Sequence, residues 1–238
     1  MSRGRALLAS AADSCGHWPD QAVDVDRRDG RAARHPCAED ELGTDDMALF
    51  ARSDRARAVN PIRGGDLLLR LPVMDDFPAW ARLRAESRAF LTPWEPSWRD
   101  DDLTRSAFRL RYFNPEDRDI LYPFFICDAA SGALMGGISF GHIRRGVAHS
   151  GMMGYWMGAP YAGKGIMTRA VPLALRLAFG PVGLRRVEAG SLPRNTASIR
   201  VLEANGFQRE GYARQYLCIN GIYEDHVLYA RLKDDPPL

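Results

Sequence analysis

Residues 152–170 read MMGYWMGAPYAGKGIMTRA, and the architecture of the chain is most readily predicted from them. The apolar residues 152–157 predict a strand that runs into a glycine-containing turn, and a helix follows to about Phe179. Gly163 and Gly165 carry no side chain, so the backbone can approach a ligand closely. Unpaired amide groups and the positive end of the helix dipole face outward at the same place. The stretch therefore predicts a cradle for a phosphate group.

Two side chains near this turn can add to such a cradle. Lys164 is one of only two lysines in the chain, and a nearby anion would offset its unfavourable interaction with the start of a helix. Thr168 offers a hydroxyl donor. The alternative is an ordinary glycine-rich turn, because GxG alone is a weak signal. The sequence lacks both the GK[ST] of a P-loop and GxGxxG at this turn, which disfavours a nucleoside triphosphate site.

A second polar pair opens a later helix. Asn195 and Ser198 lie at the start of a helix predicted over 196–204, directly after a strand. Their side chains can therefore point toward the same edge of the sheet as the glycine turn. Simple helix capping is the alternative for either residue.

The composition indicates one folded domain with an appended segment. The chain has 238 residues, 46% apolar and 26% charged, which allows one sizeable core. Residues 1–57 are rich in Ala, Arg and Asp and lack periodicity, so we predict a disordered extension before a single domain over 58–238. A translation start at Met47 is the alternative.

The net charge and the spacing of the cysteines limit which partners and which cellular compartment we expect. A formal net charge of +2 gives no strong nucleic-acid signal, and no apolar run is long enough for a membrane span. The four cysteines are too scattered for a zinc site or a disulfide scaffold, so reduced thiols in the cytoplasm are expected.

Periodicity and turn signals predict alternating strands and helices. Residues 91–98, LTPWEPSW, predict a stiff aromatic loop, and Asn220-Gly221 predicts a hairpin between the last two strands. Predicted strands cover 66–71, 122–128, 134–143, 152–157, 185–192, 212–219 and 223–232, and predicted helices cover 77–90, 103–112, the stretch from the glycine turn to about 179, and 196–204.

Four segments in register carry a resemblance to a known family. AGKGIMTRA after GYWMG, then RNTASIRVLEANGF and EGYARQYLCINGIYEDHVLYARL, resemble the GNAT superfamily of acetyl-CoA-dependent N-acetyltransferases. The combination of FLTPWEPSW before the sheet and GYARQYLCINGIYEDHV at the end resembles its RimJ-like branch of ribosomal-protein-alanine N-acetyltransferases. The resemblance covers roughly 67–232. It implies an α+β, three-layer fold, with a mixed, mostly antiparallel sheet flanked by helices and splayed at the acetyl-CoA site.

The resemblance also implies residues for the co-substrate, acetyl-CoA. The strand backbone would pair with the pantetheine arm, the turn amides would bind the pyrophosphate, and an asparagine would contact the coenzyme. These residues are Tyr155, Trp156 and Met157 on the strand, Ala162, Gly163, Lys164, Gly165 and Ile166 in the turn, and Asn195. Ser198 would donate a hydrogen bond to the departing sulfur. Two positions depart from the family: Pro160 replaces a frequent Gln or Arg, and Leu217 replaces a glutamate proposed as base in the RimL branch.

The reaction needs a neutral amine. An α-amino group with a pKa of about 7.7 to 8.0 is partly neutral at pH 7, whereas lysine, at about 10.4, is not. A weak base acting through water would suffice, and Glu95 in the PWEP loop is the candidate, with a surface glutamate as its alternative. Tyr216 is the reserve catalytic candidate. His142, His149 and His226 lack metal-site spacing, so we expect satisfied histidines and no metal.

These inferences predict transfer of acetyl to the N-terminal α-amine of a protein, with a ribosomal protein as the first candidate acceptor. One alternative keeps the chemistry but uses a small-molecule amine, an antibiotic or an amino acid. Another is a non-catalytic, acyl-CoA-binding ribosome assembly factor. From residue 58 onward we count 23 basic and 19 acidic residues, which permits RNA contact without indicating it.

Overall fold

The computed structural model describes residues 59–117 and 119–237, which fold around one eight-stranded sheet. The strand order is β1-β2-β3-β4-β5-β6-β8-β7, and every neighbouring pair is antiparallel except β5 and β6. The strands are β1 Ile62–Gly64, β2 Leu67–Arg70, β3 Tyr122–Asp128, β4 Leu134–Arg144, β5 Ser150–Met157, β6 Arg186–Ser191, β7 Gln208–Ile219 and β8 Ile222–Leu232.

Helices cover both faces of this sheet. They are α1 Phe77–Glu86, α2 Arg88–Leu91, α3 Arg105–Phe113, α4 Ile166–Phe179 and α5 Thr196–Ala204. Successive strand residues point to opposite faces, and the core divides in the same way. Phe124 packs in the cluster that holds α4 and α5, whereas its neighbour Phe125 packs with Trp80 of α1 and Phe108 of α3. The predicted three-layer, mostly antiparallel fold is therefore confirmed.

The last two strands show where periodicity fails. β7 begins at Gln208, four residues before the predicted start, because register shifts at 209/211 and 213/217 interrupt its alternation. The short β1 was missed, since three residues show no period. The expected disordered extension at 1–57 lies outside the described residues, and the domain boundary at 58 stays a prediction.

The sheet opens between β5 and β6. These strands pair only where Ser150 to Met152 meet Arg186 to Glu188. Beyond that point residues 153–157 of β5 and 189–191 of β6 are not paired with one another, which leaves a wedge between them. This wedge is the predicted splay. Within the part of the chain that the structure describes, no helix is long and apolar enough to cross a membrane.

Candidate active site

The turn from β5 to α4 exposes backbone donors beside the wedge. Gly163 and Gly165 have φ of +71° and +66°, the left-handed region that favours glycine. A Cβ on Gly163 would meet no atom within 4 Å, so this side of the turn is open. Gly165 is the residue that caps α4 and supplies no side-chain acceptor, which leaves the first amides of the helix available. The turn therefore fits the diphosphate of a coenzyme.

Two cationic side chains border this turn. Lys164 is exposed, with Nζ 6.0 Å from the Tyr161 ring centroid. Arg169 donates from Nη1 to the Lys164 carbonyl at 3.2 Å and pairs with Asp66 at 3.0 Å. Thr168 lies half-buried on the first turn of α4, whereas Ile166 is buried in the core and offers only its backbone amide. Arg169 is an addition to the sequence-based set, found because its guanidinium folds back over the turn.

Three polar groups meet across the wedge from this turn. The Tyr155 hydroxyl lies 2.8 Å from Ser198 Oγ, which links β5 to the first turn of α5. Asn195 Oδ1 accepts the backbone N–H of Ser198 at 3.1 Å and caps α5. Burial raises the pKa of Tyr155 to about 12, against the opposing effect of the Ser198 hydrogen bond, so the phenol stays protonated near neutral pH.

Comparison with known protein families shows which family the chain belongs to. The model of the Acetyltransferase (GNAT) domain matches residues 66–208. The chain belongs to the GNAT acetyltransferase family. GNAT enzymes use acetyl-CoA, and the glycine turn described above has backbone amides available beside the wedge.

Similar proteins extend the match across most of this acetyltransferase. It is 37% identical over 177 residues to Probable N-acetyltransferase YjcK of Bacillus subtilis (strain 168), covering 73% of this chain and 98% of that protein. It is 33% identical over 176 residues to the ribosomal protein uS5-alanine N-acetyltransferase of Escherichia coli (strain K12), covering 71% and 89%. The solved structure of Mycobacterium smegmatis RimJ in complex with CoA-disulfide superposes with a TM-score of 0.67 at 31% identity, over 75% of this chain and 88% of that one.

An ion pair anchors the aromatic loop over the opposite face of the acetyltransferase sheet. Arg84 of α1 donates to both carboxylate oxygens of Glu95, at 2.8 and 2.7 Å. The Trp98 indole donates to Glu95 Oε2 at 3.0 Å. The Arg84 guanidinium carbon also lies 4.4 Å from the Trp98 ring centroid and 5.0 Å from that of Trp156. This geometry favours an anchoring role for Glu95 over the expected role as a base, because protonation would disrupt the pair.

Tyr216 is on β7, and its side chain reaches toward β6, with Cε1 3.7 Å from where a Cβ on Gly190 would lie. Its ring centroid is 5.6 Å from that of His226 in an edge-on arrangement. Burial raises the pKa of Tyr216, and the Glu188 carboxylate raises it further. Tyr216 therefore packs against the ring of His226, whereas Ser198 is hydrogen-bonded to Tyr155.

Sequence reasoning missed two contacts that the structure reveals. For Tyr155 it considered only the backbone, because a strand position does not reveal which helix residue its side chain will meet. Arg84 went unnoticed, although an arginine four residues after the core Trp80 occupies a buried helix face and must find a partner there.

Proposed function

We propose that this acetyltransferase moves the acetyl group of acetyl-CoA to the N-terminal α-amine of a protein, with a ribosomal protein as the first candidate acceptor. The wedge carries the proposal: it leaves the strand backbone of β5 and β6 unpaired with one another beside the glycine turn, whose amides are available to an anion. The similarity to an enzyme named for acting on the alanine of ribosomal protein uS5 supports this choice of acceptor.

The coenzyme would be held mainly by backbone groups. The amides of the glycine turn would bind the diphosphate, with Lys164, Arg169 and Thr168 alongside, and the open edge of β5 would pair with the pantetheine arm. When bound, the coenzyme supplies an acetyl thioester. Residues proposed for this contact are Tyr155, Trp156, Met157, Ala162, Gly163, Lys164, Gly165, Ile166, Thr168 and Asn195.

Ser198 is the proposed donor to the departing sulfur. Its Oγ lies 2.8 Å from the Tyr155 hydroxyl, and this phenol stays protonated near neutral pH. When Tyr155 donates to Ser198 Oγ, the serine proton is left free to point elsewhere, toward the wedge. Tyr155 is therefore a positioning residue for Ser198.

The acceptor would enter on the face of Trp156 and the aromatic loop. The tip of the β7–β8 hairpin closes this side, since the Asn220 amide donates to the Glu95 carbonyl at 2.9 Å. Arg194 pairs with Glu224 and lies over the Trp94 ring, its guanidinium carbon 5.8 Å from the centroid. Aromatic rings and ordered carbonyls in this region suit a short extended peptide.

The test is a comparison of acceptors with the full-length protein. We would measure coenzyme release with peptides that begin with Ala or Ser, with the same peptides blocked at the N-terminus but containing one lysine, and with free small amines. At pH 7 an α-amine is neutral roughly 300 times more often than a lysine, so the free N-terminus should react at least about 100 times faster than the lysine.

Intact-mass measurement on isolated ribosomal proteins would then locate the added acetyl group. Acetylation of the α-amine supports the proposal. Faster turnover of a small amine than of every peptide would replace it with the small-molecule reading, and coenzyme binding without transfer to any amine would replace it with the non-catalytic one.

A further inference from the structure

His226 is a buried histidine on the acceptor side of the wedge. Only 3% of the residue is exposed. Its neighbours Val227 and Tyr229 face α4 and α5, where the Tyr229 hydroxyl donates to Glu203 of α5. Because side chains alternate along a strand, His226 points to the opposite face, which is also the face of Trp156 and of the aromatic loop.

The His226 ring lies next to Gly190, which has no side chain. Gly190 lies on the splayed part of β6, two residues beyond Glu188, where pairing with β5 stops. A Cβ on Gly190 would lie 3.5 Å from His226 Cδ2 and 3.7 Å from Tyr216 Cε1. The two rings therefore flank a space at the end of β6, and Cδ2 is bonded to Nε2.

A backbone hydrogen bond fixes the tautomer of this ring. His226 Nδ1 lies 3.0 Å from the carbonyl oxygen of Glu224. A carbonyl oxygen can only accept, so the proton is on Nδ1 and the lone pair of the neutral ring is on Nε2. The same bond persists when the ring gains a second proton, so the ring can cycle between both forms without moving.

Nε2 is the free end of the ring. Within residues 59–117 and 119–237 it makes no hydrogen bond. The fully buried side-chain polar atoms that lack a partner in those residues are Arg84 Nε and Ser150 Oγ, so Nε2 retains contact with solvent. The imidazole is thus held by one nitrogen and open at the other.

Charged groups from three strands lie near the ring. Glu224 and Asp225 precede it on β8, and Tyr216 on β7 and Glu188 on β6 lie on the same side, while Arg194 pairs with Glu224 and both Arg144 and Arg186 pair with Glu188. The pKa of Glu224 is lowered, mainly by Arg194 and in part by positive charge on the imidazole. The pKa of Asp225 is also lowered, mainly by the Gln215 amide and in smaller part by the same imidazole charge.

We propose that His226 Nε2 is the general base that takes a proton from the ammonium group of the acceptor. The inference rests on the proposed transfer to an amine. The N–H bond of the ammonium breaks, its electron pair stays on nitrogen as the attacking lone pair, and the proton forms the new Nε2–H bond. The neutral amine then attacks the thioester carbon: the C–N bond forms, the C–S bond breaks with its electron pair going to sulfur, and the nitrogen gives its second proton to that sulfur, which leaves as the thiol. Solvent receives the first proton from the imidazolium.

The test is His226→Asn in the full chain. The asparagine amide can keep a donor near the Glu224 carbonyl but has no counterpart of Nε2. With an Ala-initiated peptide we expect kcat/KM to fall about six- to tenfold at pH 7, where without the base only about a tenth to a sixth of the α-amine is neutral. At pH 9.5 the amine is already neutral, and the loss should shrink to within about threefold.

A matched control separates this role from a structural one. His149 is exposed, precedes β5 and has a φ of +40°, which asparagine tolerates, so His149→Asn should match the wild type at both pH values. An equal loss for His226→Asn at pH 7 and pH 9.5, or no loss at pH 7, overturns the proposal. Coenzyme A affinity, measured by calorimetry, should be unchanged.

A measurement on the wild type covers the case in which the variant fails to fold. The chain contains five histidines, and ¹⁵N spectra of their rings report each tautomer. We expect neutral His226 to carry its proton on Nδ1, and an Nε2–H tautomer would overturn the proposal. If peptides are not accepted but a small amine is, the proposed acceptor fails, and His226→Asn is then tested with that amine against the same pH dependence.

Discussion

Gly163 and Gly165 contribute to the site through their backbone conformation. Both have positive φ, and an ordinary residue held there loses about 1 to 2 kcal/mol of stability. Space does not forbid a side chain at Gly163, since the structure shows nothing within 4 Å. A side chain would instead occupy the place where a diphosphate meets the turn amides.

Gly163→Val should therefore weaken coenzyme A binding about tenfold or more, through lost approach to the amides. Gly132→Val is the matched control, because Gly132 has a φ of +74° and equally open surroundings but lies in the β3–β4 turn. Both variants should lose similar stability in thermal unfolding, and only the first should lose affinity in calorimetry. If the two variants bound coenzyme A with equal affinity, the glycine turn would not be the diphosphate site.

Tyr155→Phe removes only the hydroxyl that meets Ser198. We expect kcat to fall about tenfold, because the serine proton is no longer directed, while coenzyme affinity holds. In a Ser198→Ala background the same change should have almost no effect on kcat. Tyr229→Phe removes another strand-to-α5 hydrogen bond, to Glu203, and should leave kcat unchanged. Additive losses from Tyr155 and Ser198 would contradict the pairing.

The loop at 91–98 depends on one ion pair between elements. The side chains of Arg84 and Glu95 are 6% and 20% exposed, and a carboxylate removed from a buried guanidinium leaves an unpaired charge. Glu95→Gln should lower the free energy of unfolding by about 3 kcal/mol in urea titrations. The exposed pair of Arg99 with Asp101 is the control, and Asp101→Asn should change it by less than about 1 kcal/mol.

Glu95→Gln also distinguishes a role of Glu95 as an anchor of the loop from a role as a general base. An anchor positions the acceptor loop at every pH, so Glu95→Gln should lower kcat/KM by a similar factor at pH 7 and pH 9.5. A base acting through water would matter only while the acceptor is an ammonium ion. A loss that shrinks at pH 9.5 would therefore support the base and contradict the anchor.

Local signals predicted the elements, and tertiary contacts determined the site. The bounds of α5 and of β3 follow from capping and from a short apolar run, and both match the prediction residue for residue. The partners of Glu95 could not be predicted in this way, because Arg84 reaches it from a helix that only the fold brings near. His226 was expected to be a satisfied histidine, and one of its nitrogens is; the open Nε2 depends on Gly190, a residue on another strand.

Several carboxylates in different parts of the fold make the free energy of unfolding depend on pH. The pKa of Asp128 is lowered by the Ser131 hydroxyl and amide, that of Glu210 by Arg186, and that of Glu224 by Arg194. A carboxyl whose folded pKa lies below its unfolded value binds protons more readily when unfolded. Such a carboxyl contributes its full stabilisation at a pH above the unfolded pKa values, which are about 3.9 to 4.3. This stabilisation is lost as the pH falls through the folded pKa.

The free energy of unfolding should therefore stay level from pH 7 to 5 on account of these groups and fall from pH 5 to 3, as urea titrations at each pH would show. Salt separates the causes: 1 M NaCl should reduce the contributions of Glu210 and Glu224, which come from ion pairs with the half-buried Arg186 and the exposed Arg194, because the Debye length drops to about 3 Å. The contribution of Asp128 comes from neutral donors and should persist. Asp128→Asn should then flatten the remaining acid slope in high salt, and an unchanged slope would show that the β3–β4 turn does not contribute.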